Sequence, residues 1–277
     1  MTLPSLAPHY PHVHHDPDAP ILDVRKLTVR YDGQVALENI TFHLHAGERV
    51  AVVGPNGAGK STLFKVVAGV LPPTSGEVEI SGFGPRGHIC IAYVPQRSQV
   101  DWRFPASVAD VVMMGRIGQI GFFKWPRRAD WDTVHAALDA VDMESLANRQ
   151  IGELSGGQQQ RTFLARALAQ EAELVLMDEP LNGLDTPSQE AILSLLEKLR
   201  QQKITVMVAT HDLGQAASHF DRVMLLNRRL IRFGPPQEVL TSENLLHAYS
   251  GHAQLLKGVD GTTTLADSCC DGEAENE

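Results

Sequence analysis

The chain has 277 residues, 43% hydrophobic and 21% charged, an ordinary globular balance with room for one large domain or two small ones. Its formal net charge of -9 argues against general nucleic-acid binding, which needs a basic footprint to neutralise phosphates. No apolar run reaches about 18 residues and the first twenty residues lack an apolar h-region, so neither a membrane-spanning helix nor a secretory signal is expected.

Residues 1–20 carry five prolines and four histidines (His9, His12, His14, His15) and read as a flexible arm, either a solvated tail or a segment able to bind metal. From Ile21 the pattern turns strand-like, with Leu22, Val24, Leu27, Val29 and Tyr31 in short extended runs. Arg49 to Gly54 is an apolar run ending in glycine. Lys60 to Leu71 has Leu63, Val66, Val67 and Val70 at helical spacing, and Thr74-Ser75-Gly76 turns the chain into a strand from Glu77 to Ile80.

Residues 97–150 are mostly helical in pattern. Trp102, Phe104, Met113, Met114, Phe122, Phe123 and Trp125 crowd the first half, which suggests an inserted helical subdomain. Ser155-Gly156-Gly157 opens a helix to about Ala169. Leu174 to Met177 and Ile204 to Ala209 are apolar enough for central parallel strands, with an amphipathic helix from Ala191 to Gln201 between them. A hairpin around Asn227 and two short helices follow, the second capped by Thr241 or Ser242. The polar, acidic stretch 251–277 is expected to be disordered. Of three cysteines, Cys90, Cys269 and Cys270, two are adjacent in that tail. They make no disulfide framework and fit a reducing, intracellular compartment.

Three motifs carry chemistry. GPNGAGKST fits the P-loop pattern G-x-x-x-x-G-K-S/T, with Gly54, Gly59, Lys60 and Ser61 at the diagnostic positions and Pro55, Asn56, Gly57, Ala58 and Thr62 completing it. It lies between an apolar strand and a helix, where glycine lets backbone amides and a helix N-terminus face a phosphate. Lys60 would reach the β- and γ-phosphates of ATP and Ser61 would supply a hydroxyl to Mg²⁺. LVLMDE ends a buried strand on Asp178, suited to Mg²⁺, and Glu179, suited to polarising a water. An acidic pair after a strand is otherwise a solvated strand end. LSGGQ (Leu154 to Gln158) puts two glycines after a serine at a helix start, a second anion site or, alone, a flexible linker.

In this order the motifs resemble the ATP-binding cassette (ABC) ATPase family over residues 21–250, with the helical subdomain at about 97–165. The implied fold is α/β: a P-loop NTPase core with a mainly parallel sheet, an N-terminal antiparallel β subdomain and the helical insertion. The resemblance implies a head-to-tail homodimer in which Ser155, Gly156, Gly157 and Gln158 close over ATP held by the other subunit. It also implies that Tyr31 stacks on adenine, although a buried strand tyrosine reads the same way. Gln96 in YVPQ would sense Mg²⁺ and the attacking water, and His211 after ITVMVAT would contact the γ-phosphate. Asp185 would couple the two sites, in a loop whose LNGLD departs from the commoner SALD at Asn182 and Gly183.

The stretch after Gln96 would meet the membrane permease or else form the subdomain's own core. Its wording, DWxFPxxVxDVVxMGR, is similar to the subfamily serving importers of manganese, zinc and chelated iron. That likeness implies ATP hydrolysis at the cytoplasmic face of a membrane, polytopic permease subunits, an extracytoplasmic substrate-binding protein, and manganese or zinc as cargo. An importer of chelated iron, or a soluble non-transport ABC ATPase, is the alternative.

Overall fold

Strands that carry apolar residues at every position must be covered on both faces, and three of them set the middle of this molecule. The computed structural model describes residues 19–81, 84, 91–121 and 124–249, and the backbone of 253–257 and 263–267. The expectations for residues 1–18, Phe122, Phe123, Cys90, Cys269 and Cys270 lie outside the described residues.

The elements run β1 (Leu22–Tyr31), β2 (Gln34–Leu44), β3 (Arg49–Val53), α1 (Lys60–Val67), β4 (Ser75–Ile80), β5 (Ile91–Val94), α2 (Val108–Met113), α3 (Ile117–Ile120), α4 (Arg128–Ala140), α5 (Gly156–Ala169), β6 (Leu174–Asp178), α6 (Thr186–Gln201), β7 (Thr205–Ala209), α7 (Leu213–His219), β8 (Arg222–Asn227), β9 (Arg229–Gly234), α8 (Pro236–Val239), α9 (Ser242–Tyr249), β10 (Ala253–Lys257) and β11 (Thr263–Asp267). One sheet has the order β5-β6-β7-β3-β8-β9, parallel throughout except for the antiparallel β8–β9 edge. A second sheet, β2-β1-β4, is antiparallel.

Strand alternation sorts the core into two layers. Val50, Val52, Leu174, Leu176, Met207 and Met224 face the antiparallel sheet and α1, where Leu22, Leu37, Leu63 and Phe64 are fully buried. Their neighbours Ala51, Val53, Val175, Met177, Val206 and Val208 face the other way, onto residues of α2, α4, α5 and α6. The central sheet is thus sandwiched, and at its carboxyl-terminal edge strand ends and helix starts open together.

Several boundaries differ from the sequence reading, for visible reasons. α1 stops at Val67 rather than Leu71 because Gly69 enters the left-handed region at φ 71° and the amides of Ala68 and Val70 turn back onto the carbonyls of Phe64 and Lys65. α6 begins at Thr186, five residues before Ala191. Asp185 caps it by accepting from the Ser188 amide at 3.0 Å, and Pro187 lies in its first turn. The β8–β9 turn falls on Arg228 (φ 56°), and Asn227 uses its side-chain amide to donate to the Ala248 carbonyl. The Thr241 hydroxyl, not Ser242, accepts from the Asn244 amide at the start of α9. β10 and β11 pair antiparallel, where the sequence reading expects no regular structure. The Leu255-Leu256 and Thr263-Thr264 pairs suit an extended backbone.

The helices of 97–165 are locked to the rest by Arg116. Its guanidinium donates to the Ala169 carbonyl at 3.0 Å and to Glu171 at 2.9 Å, and lies 3.5 Å from Asp130. All three side chains are under 15% exposed. Gly115, beside it, admits no Cβ because the Arg166 carbonyl oxygen occupies that space. Replacing Arg116 with alanine would strand two largely covered carboxylates, so Arg116→Ala is expected to cost about 3 kcal/mol in urea unfolding.

Candidate functional site

The loop between β3 and α1 is shaped by what cannot fit in it. A Cβ on Gly54 would run into the Leu226 carbonyl oxygen of β8. One on Gly59, at φ 96°, would sit 2.6 Å from Leu37 Cδ2 and 2.7 Å from the Ala36 carbonyl oxygen. Gly57 is also left-handed at φ 77° but faces open space. α1 starts without a side-chain cap among the described residues, which leaves its first amides available to an anion.

Lys60 is buried and donates to the carbonyls of Gly54 at 2.7 Å and Pro55 at 3.1 Å. These bonds bend its ammonium back over the loop. Burial lowers its pKa from the ordinary value, opposed by the charges of Glu179 and Asp178.

Asp178 ends β6, 2% exposed. Burial pushes its pKa up. A hydrogen bond with Ser61 and the charge of Lys60 work against that rise, while Glu179 adds to it. Its Oδ2 has no hydrogen-bond partner among the described residues. On β5, burial and then the charge of Asp178 push the Tyr93 phenol up to about 12. That hydroxyl lies near Asp178 without closing a hydrogen bond of ordinary geometry. A buried carboxylate oxygen left free beside a serine hydroxyl is a donor set that suits a hard divalent cation.

Glu179 follows with its backbone in the left-handed region, φ 50°, unusual for a glutamate. Its amide donates to the Ala209 carbonyl at 3.0 Å, tying it to the end of β7. Its Oε2 accepts from Gln96 Nε2 at 2.9 Å and from Asn182 Nδ2 at 3.1 Å. Gln96 therefore reaches the carboxylate from 83 positions away, across the β5–β6 pair.

A cleft of about 980 Å³ gathers most of these groups, although the buried Asp178 does not line it. Gly54 through Thr62, Gln96, Glu179 and His211 line it. So does Tyr31, 44% exposed and therefore not a buried strand tyrosine. Asn182, Asp212 and Tyr249 line it too and were not among the residues expected from sequence. Asn182 left a trace as the departure from SALD. Tyr249, at the end of α9, left none.

Ser155, Gly156, Gly157, Gln158 and Asp185 do not line the cleft. Ser155 caps α5 with Gln158, its hydroxyl accepting from the Gln158 amide at 3.3 Å while its own amide donates to the Gln158 side chain at 2.9 Å. Ser155 is exposed, and Gly157 is packed against the Ser188 side chain. Hydrogen bonds from Ser188 hold the exposed Asp185 carboxyl below its usual range. Arg97, next to Gln96, donates to Gln159 Oε1 at 2.7 Å and so ties the two regions.

In the aromatic stretch, Trp102 packs edge-on against Phe163 at 5.6 Å and Met113 is buried. Trp125 (89%), Phe104 (54%) and Ile117 (52%) face outward, with Met114 at the margin. No helix among the described residues is long and apolar enough to cross a membrane.

Residues 37–182 match the ABC transporter family. The manganese transport system ATP-binding protein MntB of Bacillus subtilis (strain 168) is 46% identical over 237 residues, 85% of this chain and 95% of that protein. The chelated iron transport system membrane protein YfeB of Yersinia pestis is 44% identical, covering 84% and 80%. The zinc transport system ATP-binding protein TroB of Treponema pallidum (strain Nichols) is 45% identical, covering 83% and 87%. Among solved structures, a metal-chelate type ABC transporter in an inward-facing conformation superposes with TM-score 0.76 at 34% identity, over 90% of this chain and 97% of that one.

The raised pKa of Asp178 has a consequence for stability. A carboxyl whose folded pKa lies above its unfolded value destabilises the fold once pH climbs past both. At pH 7, above the unfolded value, the nucleotide-free protein therefore carries a cost of burying this carboxyl. Asp178→Asn is expected to raise the thermal midpoint of the nucleotide-free protein at pH 7. It is also expected to abolish the further rise on adding Mg-ATP, both read by differential scanning fluorimetry.

Proposed function

The chain belongs to the ABC transporter family, and from that membership we propose that it is the ATP-hydrolysing subunit of an importer for a divalent transition metal, manganese or zinc. The observation that carries the catalytic half of this reading is a division of parts. Lys60, Glu179, Gln96 and His211 line one cleft, with Asp178 buried beside Ser61 of the same loop, while Ser155–Gln158 of the same chain stand outside it. Two copies arranged head to tail would supply each other's missing wall.

In that arrangement Tyr31 stacks on adenine, and the amides of Gly54 to Thr62 with the Lys60 ammonium receive the phosphates. Ser61, Asp178 and Gln96 would hold Mg²⁺, which would neutralise phosphate charge. The free Asp178 Oδ2 and the Ser61 hydroxyl are the observations that fit it. Glu179 accepts the proton of the attacking water. Gln96, bonded to that carboxylate, is placed to sense the water, and His211 contacts the γ-phosphate. The partner's signature residues lie over the same phosphates. Loss of the γ-phosphate removes the contacts that hold the halves together, and Asp185 couples the two sites.

The chain would sit at the cytoplasmic face of the membrane as a homodimer. The outward Phe104, Ile117 and Trp125 would dock a polytopic permease, and an extracytoplasmic substrate-binding protein would deliver the cargo. The choice of manganese or zinc follows MntB and TroB, which are 46% and 45% identical to this chain. Chelated iron is the second reading, favoured by YfeB and the metal-chelate type structure.

Glu179→Gln with Mg-ATP is expected to move from monomer to dimer in size-exclusion chromatography and to lose turnover by about 100-fold or more. Adding Ser155→Arg is expected to abolish that dimer. A strictly monomeric Glu179→Gln protein, alone and beside its permease, overturns the shared-site reading. For the cargo, cells lacking the chain are expected to lose uptake of radiolabelled manganese or zinc. Loss confined to iron-chelate uptake decides for the second reading.

A further inference from the structure

We infer that Asn182 is a positioning residue for hydrolysis: its side-chain amide orients the Glu179 carboxylate. The inference rests on the reading of Glu179 as the proton acceptor. Glu179 and Asn182 are the ends of a four-residue turn, closed by the Asn182 amide donating to the Glu179 carbonyl at 3.3 Å, with Pro180 at its second position. The turn starts from a glutamate at φ 50° and leaves through Gly183 at φ 70°. It folds the Asn182 side chain back over the residue that opens it, and Nδ2 donates to Glu179 Oε2 at 3.1 Å.

Gln96 Nε2 donates to the same oxygen from the opposite side of the chain's order, at 2.9 Å. Two amide donors on one carboxylate oxygen fix the rotation of the group. Oε2 is then occupied, and Oε1 is kept as the oxygen for the water. Asn182 also lines the cleft and is exposed, three residues before Asp185. A contact made at the Asp185 loop by a second copy is therefore transmitted to the carboxylate through a single short turn.

The bond belongs to this chain's own sequence. In the SALD form, serine at position 182 would replace a two-hydrogen amide by a shorter hydroxyl.

The test is a double-mutant cycle between Asn182→Ala and Glu179→Gln, with Asn182→Ser as the conservative variant, read in single-turnover hydrolysis and in binding of a fluorescent ATP analogue. Asn182→Ala is expected to lower kcat about tenfold with KM for ATP and analogue affinity changed by less than about twofold, because Gln96 still holds the carboxylate. In the Glu179→Gln background the same change is expected to alter the residual rate by less than about twofold. Asn182→Ser, which keeps a donor, is expected to recover part of the loss.

An unchanged kcat in Asn182→Ala overturns the inference. An equal loss in both backgrounds does so as well, since Asn182 would then act other than through Glu179. A rise in KM with kcat intact overturns it in favour of a binding role. Near-parent turnover by Glu179→Gln sinks the proton-acceptor reading itself, an outcome distinct from the others.

Discussion

A phosphate can be held by backbone amides only where the chain turns without side chains in the way and a helix begins with its first amides free. Gly54 and Gly59 meet that demand under pressure from both sides. The Leu226 carbonyl of β8 closes one approach, and Leu37 with the Ala36 carbonyl closes the other. These neighbours belong to the two different sheets, so the loop sits at the seam where the parallel core meets the antiparallel layer. The rest of the arrangement depends on that seam. β3 lies between β7 and β8 and presents the loop at the carboxyl edge, and β6 and β7 bring Asp178, Glu179 and Thr210-His211 to the same edge.

The charges at this edge set stability against function. Lys60 is turned onto carbonyls of its own loop, its pKa lowered by burial, and Asp178 keeps an oxygen without a partner among the described residues. Both are costs to the empty protein that an anionic nucleotide with a divalent cation would relieve. Glu179 differs in kind. Its carboxylate is provided with donors, Gln96 and Asn182, each anchored to a different segment, and its backbone is held in a sparsely populated region by the β7 carbonyl of Ala209.

Gln96 and Arg97 form a physical link between nucleotide chemistry and the helical layer. One residue bonds the Glu179 carboxylate, and the next bonds Gln159 on α5, with Trp102 donating to the Arg97 carbonyl at 3.0 Å and packing on Phe163. A movement of α5 relative to the sheet therefore pulls on the residue beside Gln96. Arg116, Asp130 and Glu171 brace the far end of the same helix, so α5 is held at both ends.

The sequence by itself determined those features whose physics is local. The P-loop follows from glycine spacing, the central strands from apolar runs, and the α5 start from Ser155-Gly156-Gly157. The apolar stripe places the start of α6 five residues late, because the Asp185 cap and Pro187 precede the stripe. Asp178 and Glu179 were readable as a pair because a strand end fixes where they emerge. Only the tertiary structure decided which distant groups meet. Nothing within a few residues of Gln96 indicates that its amide reaches Glu179, or that Arg97 reaches Gln159. Periodicity could not separate the inward Trp102 from the outward Trp125, because both lie in irregular chain where no repeat assigns a face. Tyr249 enters the cleft only because α9 packs against β8, a contact between segments that composition cannot relate. Side-chain chemistry and short-range geometry are written along the chain, whereas convergence across a sheet depends on strand order, and strand order is a property of the packed whole.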